Sequence, residues 1–276
     1  MGVMDGPEWV RYRRVDGAAL EAMHAHFRRH AYHRHSHETY SFGVTEVGAQ
    51  AFTCRGGRHV SAAGMVMAFN PDEAHDGWAA TDDGFTYRMV HLGPDLLGDV
   101  LSDLRGGRAP APLFAEPVRH EPAAAHALRR LHSALLGPAG PVSALERDER
   151  LMAAVAAVSR MAGPVRLRSA AGPPPVARRA RDVLRERFLD DVGAADLADA
   201  VGHSRFGVYR AFRAAYGMSP SEFQRQQRLR AARAAIDSGH SLAAAAAAAG
   251  FADQSHLTRW FVRYFGVTPG QYRRSV

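Results

Sequence analysis

Gly250-Phe251-Ala252-Asp253-Gln254-Ser255-His256-Leu257-Thr258-Arg259-Trp260-Phe261, followed by Phe265-Gly266-Val267-Thr268-Pro269, repeats a pattern found earlier in the same chain. The earlier copy is Gly202-His203-Ser204-Arg205-Phe206-Gly207-Val208-Tyr209-Arg210-Ala211-Phe212, then Tyr216-Gly217-Met218-Ser219-Pro220. Counted from Phe212 and Phe261, the aromatic, Gly, Ser/Thr and Pro return at the same offsets, and Gly217 and Gly266 lie 49 residues apart. A repeat of this length marks a duplicated supersecondary unit. The unit reads helix, glycine turn, second helix, the arrangement that lays one helix in a DNA groove.

Working outward, everything from Val176 on carries helical signals. Val176–Leu189 reads as a first helix, Ala195–Val201 and Ser204–Ala215 as the first helix pair. Ser219-Pro220 opens a long helix to about Ile236, with Ser as cap and Pro in the first turn. Ser241 and Asp253 are expected to cap the next two helices, and Thr268-Pro269 to open a short closing one. Upstream, Ala162–Pro175 holds Gly163-Pro164, Gly172 and Pro173-Pro174-Pro175, a proline-stiffened linker. Two helical periods precede it, His126–Leu136 and Ala144–Met161, divided by Gly137-Pro138 and Pro141. From about 9 to 95 the apolar stretches are short and broken by Gly, Asp and Pro. Tyr40–Val47, Gln50–Cys54, Met65–Phe69 and Phe85–Leu92 read as strands of an all-β domain. The expected division is 1–162, a linker at 163–175, and 176–276.

Charge follows the same division. The 276-residue chain has no Lys and 35 Arg, with a formal net charge of +7. From Val176 onward 16 Arg face 9 acidic residues, while the first 175 residues balance at 19 and 19. A basic half beside a neutral one suggests a polyanion-binding module joined to something else. The lone Cys54 excludes an internal disulfide and a Cys-rich zinc site. Met1–Pro7 lacks the apolar core of a signal peptide, and no apolar run approaches a membrane span, so a soluble cytoplasmic protein is expected.

In the second helix of each unit, an apolar stripe alternates with long hydrogen-bonding side chains near the N-terminal half. Arg bonds bidentately to guanine and Gln to adenine, each good pair discriminating by roughly 1–3 kcal/mol. A short residue such as Ser255 lets a helix sink toward the bases. Residues 178–274 resemble the C-terminal DNA-binding domain of AraC-type transcriptional regulators. The carrying residues are Leu197-Ala198, Val201-Gly202-His203-Ser204, Phe212-Arg213-Ala214-Ala215-Tyr216-Gly217-Met218-Ser219-Pro220, and the second copy with Ala248-Ala249 before it and Tyr272-Arg273 after it. The resemblance implies an all-α domain of seven helices, a long central helix joining two helix-turn-helix units that enter successive major grooves. By position in the motif it implies DNA contacts by Arg205, Phe206, Tyr209 and Arg210, and by Gln254, Ser255, Thr258 and Arg259. Arg213 and Arg263 are expected at phosphate. Gly207 departs from the pattern; it costs the first recognition helix about 1 kcal/mol against Ala and loosens its presentation of Tyr209 and Arg210.

The other constellation is His33-Arg34-His35-Ser36-His37-Glu38-Thr39-Tyr40 with Asn70-Pro71-Asp72-Glu73-Ala74-His75. His35 and His37 alternate, so on a strand they share a face, and a third His can complete a facial metal set. The pattern resembles the cupin double-stranded β-helix, the effector sensor that AraC-type regulators often carry. Metal cupins add a carboxylate shortly after the His pair; Glu38 is too early and Glu46 rather late, so no metal or other cofactor is expected. His35, His37 and His75 instead line a polar mouth or brace the barrel, with Tyr40, Trp78, Tyr87 and Met89 as walls of a small-molecule pocket. Tyr87, Met89 and His91 share one strand face, and Arg88 and Val90 the other. The helices within 121–161 are expected to hold a homodimer. The sum is a non-enzymatic transcriptional regulator of promoter DNA, controlled by a small effector and contacting RNA polymerase. The alternative is a cupin metalloprotein or enzyme fused to a DNA-binding module.

Overall fold

The computed structural model describes residues 8–137, 142–162 and 173–274. Contacts divide the chain into two units, Met1–Ala31 with Ser36–Arg166, and Tyr32–His35 with Leu167–Arg274. Pro138 and Pro141 of the expected break after Leu136, and residues 163–172 of the expected linker, lie outside the described residues.

The strands are β1 (Trp9–Arg14), β2 (Leu20–Phe27), β3 (Tyr32–His35, grouped with the second unit), β4 (Tyr40–Cys54), β5 (Gly57–Ala62), β6 (Val66–Phe69), β7 (His75–Ala79), β8 (Phe85–Leu92) and β9 (Val118–Arg119). Between β8 and β9 lies α1 (Pro94–Arg105), and after β9 come α2 (Pro122–Leu136) and α3 (Ala144–Ser159). The main sheet runs β1-β2-β8-β4-β6-β9, and the second half of β4 pairs with β5 and β7 instead. β4 is thus one strand where the sequence suggests two. It carries a register shift between Thr45 and Val47 and a left-handed Gly48, and it continues through both.

Strand parity sorts the first unit into two buried sides. Leu20, Ala22, Phe42, Val44, Val90 and Leu92 join Leu97, Leu128, Leu131 and Val155 of the helices in one apolar core. The alternate residues turn into the barrel. Their register stacks them in rows: Glu21–His91–Ser41–Phe69, then Met23–Met89–Gly43–Met67, then Ala25–Tyr87–Thr45.

The second unit holds α4 (Pro175–Glu186), α5 (Ala194–Val201), α6 (Arg205–Tyr216), α7 (Pro220–Asp237), α8 (Leu242–Ala248), α9 (Gln254–Phe265) and α10 (Pro269–Arg273). These are the seven helices expected. Ser204, Ser219, Ser241, Asp253 and Thr268 each accept the amide of the residue three positions on. At Ser219 and Thr268 the partner, Glu222 or Gln271, reaches back to complete a capping box. Val208, Phe212, Phe223, Leu229, Leu257, Phe261 and Tyr272 are buried in the packing around α7.

Candidate nucleic-acid interface and effector chamber

The second helix of each pair, α6 and α9, keeps Val208 and Phe212, or Leu257 and Phe261, buried. The other face is open: Arg205, Phe206, Tyr209, Arg210 and Arg213 on α6, and Gln254, Ser255, Arg259 and Arg263 on α9, are exposed. Thr258 is half-buried, and its hydroxyl donates to the Gln254 carbonyl at 2.8 Å, so its methyl is the group left for a partner. Arg210 lies over the Phe206 ring at 4.7 Å, and Arg213 donates to the Tyr209 hydroxyl at 3.1 Å. On α9, Trp260 is flanked by Arg225 at 3.8 Å and Arg263 at 4.8 Å, which gathers positive charge beside the helix.

Gly207 has a physical reason that the sequence does not disclose. It is buried, and a Cβ there would collide with the His203 ring and come within 2.9 Å of the Ser204 hydroxyl. The His203 Nδ1 accepts the Ser204 amide at 3.0 Å and Ser204 accepts the Gly207 amide at 3.2 Å. The glycine therefore lets the turn close onto the helix start, and the expected loosening of Tyr209 and Arg210 is answered by a ring packed where a side chain would be.

In the first unit, His37 meets His75 at 5.3 Å and His91 at 4.7 Å between ring centroids, and His75 stacks on Phe69 at 4.0 Å. His75 Nδ1 donates to the Glu73 carbonyl at 2.9 Å, which fixes the ring with Nε2 at its other edge. His91 Nδ1 and the Ser41 hydroxyl share a 2.8 Å hydrogen bond. Deeper, Thr45 bonds Ser61 at 2.8 Å and accepts from Gln50 at 3.1 Å. Between these polar groups sit Met23, Met67 and Met89. Met67 and Met89 fold onto Gly43, where a Cβ would collide with Met89 Sδ and stand 2.6 Å from Met67 Cε. The barrel interior thus has imidazoles at one end and thioethers packed beside them.

Of the pocket residues inferred from sequence, His37, His75, Tyr87 and Met89 lie on this interior side of the first unit. His35 is buried on β3, its Nδ1 donating to the His33 carbonyl at 2.7 Å. Tyr40 and Trp78 are corrections. Tyr40 faces the helices, stacked with Phe42, edge-on to Phe114 and donating to the Pro112 carbonyl at 3.0 Å. Trp78 lies on the opposite strand face from His75, with Arg58 over its ring at 5.4 Å. The sequence reading missed Ser41, Gly43, Met23, Met67 and the role of His91. Gly43 in mid-strand was the available signal, because a strand glycine marks a close approach.

Metal-capable nitrogens of His37 and His75 lie within 4.8 Å of each other. Glu46 does not complete such a set, because it faces the helices and pairs with Arg88 at 3.1 Å and Arg129 at 2.9 Å. Beside that pairing, His132 is fully buried between the Met23 carbonyl, 3.1 Å from Nε2, and Arg88, 3.2 Å from Nδ1. Burial, helped by the Arg88 charge, pushes the His132 pKa down to about 3 and that of neighbouring His24 to about 4.

The AraC-like ligand binding domain family matches residues 17–155, and a helix-turn-helix domain family matches residues 197–275. The chain belongs to the AraC-type regulators. It is a DNA-binding transcriptional regulator with a cupin-like effector domain and a tandem helix-turn-helix domain. Among its relatives, the HTH-type transcriptional regulator YbfI of Bacillus subtilis is 26% identical over 226 residues, 81% of this chain and 80% of its own. The transcriptional activator NphR of a Rhodococcus species is 36% identical over 98 residues, 35% of this chain and 29% of its own. An apo ToxT structure from Vibrio cholerae superposes with a TM-score of 0.62 at 11% identity, covering 95% of this chain and 99% of that one. Another ToxT structure, with unsaturated fatty acid bound, gives 0.56 at 9% identity over 98% and 95% of the two chains. At such identities the likeness is one of fold. Among the described residues no helix is long and apolar enough to cross a membrane.

Proposed function

We propose that this AraC-type regulator reads promoter DNA with α6 and α9 in the major groove. Arg205, Phe206, Tyr209 and Arg210 are its first contact set, and Gln254, Ser255, Thr258 and Arg259 its second. The carrying observation is that both helices bury one face and leave these side chains on the other, beside Arg213, Arg225 and Arg263. Arg and Gln at such positions suit guanine and adenine edges.

The effector is a small molecule held in the barrel interior, its polar part toward His37, His75 and His91 and its apolar part on Met23, Met67, Met89 and Tyr87. Effector binding changes DNA occupancy because it binds one state of the protein better than another. The regulator catalyses nothing, works in the cytoplasm, and contacts RNA polymerase. Its effector domain spans 1–162, its linker 163–175 and its DNA-binding domain 176–276. It acts as a homodimer through the α2–α3 helices, where Leu145 and Met152 stand exposed on α3.

Footprinting on DNA flanking its own gene, with a metabolite panel added, tests this reading. One protected site whose occupancy responds to one metabolite class is the expected result; equal protection of all DNA contradicts it. The pair His37 and His75 favours one second reading, a metalloprotein. Stoichiometric iron or manganese in the purified protein would support it, and the effector reading would then have to include the ion.

A further inference from the structure

We propose that Phe206 reads the 5-methyl group of a thymine, acting as one unit with the Arg210 guanidinium stacked on its ring. This rests on α6 being a groove-reading helix. Phe206 is 67% exposed, the most exposed large apolar side chain among the described residues of the second unit; Leu189 follows at 50% and Tyr209 at 40%. The fold does not need a phenyl ring there, since α6 packs through Val208 and Phe212 on its other side. Phe206 and Arg210 are four apart on one helix face, and Arg210 Cζ sits 4.7 Å from the ring centroid.

A guanidinium seated over a ring can still bond through its N–H edge. That edge matches guanine O6 and N7 in the major groove. The rim of the phenyl ring then faces the neighbouring base pair, and apolar contact is what a thymine methyl offers there. Cytosine would turn an amino group onto the ring and lose a hydrogen bond to water without replacement. The backbone that carries Phe206 is held by the Ser204 cap and by His203 packed over Gly207. In α9 the equivalent residues are Ser255 and Arg259, so the second helix lacks this aromatic pair.

The probe is a set of duplexes enriched by the full-length protein from a random-sequence pool. Each thymine is replaced in turn by deoxyuridine, which removes only the methyl. Affinity should fall about four-fold at one position, the ratio given by the ~0.8 kcal/mol of one buried methyl. Cytosine there should bind more weakly, and 5-methylcytosine should recover part of the loss. In Phe206→Ala, checked for native circular dichroism, thymine and uracil should bind alike at that position; Phe206→Leu should keep part of the preference. The proposal is overturned if no thymine is methyl-sensitive, or if Phe206→Ala retains the sensitivity. Enrichment of no sequence at all would overturn the groove-reading assignment as well, so the two failures are distinguishable.

Discussion

The Arg228 guanidinium donates to the Gly250 carbonyl oxygen at 3.1 Å. The same side chain reaches the carbonyls of Phe188 at 2.7 Å and Asp190 at 2.9 Å. One cation on α7 therefore meets the C-terminal ends of α4 and α8, where unpaired carbonyls and the helix dipoles favour positive charge. Arg228→Ala is expected to cost about 2–3 kcal/mol in urea unfolding. Arg228→Lys should recover little, because an ammonium cannot serve carbonyls spread across a fork. Full recovery by lysine would show that charge alone matters.

Arg259→Ala should weaken specific binding by about 1–3 kcal/mol and relax preference at one base pair. Arg213→Ala should instead weaken specific and random duplexes together and flatten the salt dependence. Competition binding at fixed salt separates the two; equal loss on both DNAs from Arg259→Ala would remove it from base reading.

Gly207→Ala should destabilise the second unit although alanine is the better helix former by about 1 kcal/mol. The added methyl displaces His203. In a His203→Ala background the same change should cost less or become stabilising, a coupling that a double-mutant cycle of melting free energies reads directly. Additive effects would mean the ring is not what requires the glycine.

Folded His132 and His24 hold pKa values depressed to about 3 and about 4, below the ordinary histidine value of 6.5. Their neutral burial thus favours the fold above pH 6.5, and that advantage is lost as pH falls toward the folded values. Buried His132 contributes a slope of up to about 1.4 kcal/mol per pH unit in that window, and half-exposed His24, screened by solvent, contributes less. His132→Gln keeps a donor for the Met23 carbonyl and an acceptor for Arg88 but does not titrate. Urea titrations between pH 6 and 4.5 should show a shallower slope for the variant; an unchanged slope would assign the acid sensitivity elsewhere.

The second unit was the more legible half because its signals are local. Ser204, Ser219, Ser241, Asp253 and Thr268 declare helix starts within three residues, and all five act as caps. In the first unit β8 was legible, residue for residue. β2 was not, because Leu20–Phe27 is buried on both faces and shows no alternation to read. β4 read as two strands because Gly48 looks like a breaker, while pairing on both sides carries the strand through. α1 went unread, with Gly98 interrupting its helical pattern. The pocket reading erred at Tyr40 by a single position. Ser41, not Tyr40, shares the register row with His91, and parity cannot be assigned until the pairing is known.

The bare Cα at Gly43 also bears on how such a sensor can diversify. A side chain there would meet the flexible ends of Met67 and Met89, so it could enter only with both thioethers displaced. In the proposed effector site, the three thioethers have unbranched arms that re-pack around guests of different outline. Relatives that respond to different metabolites should differ first at these methionines.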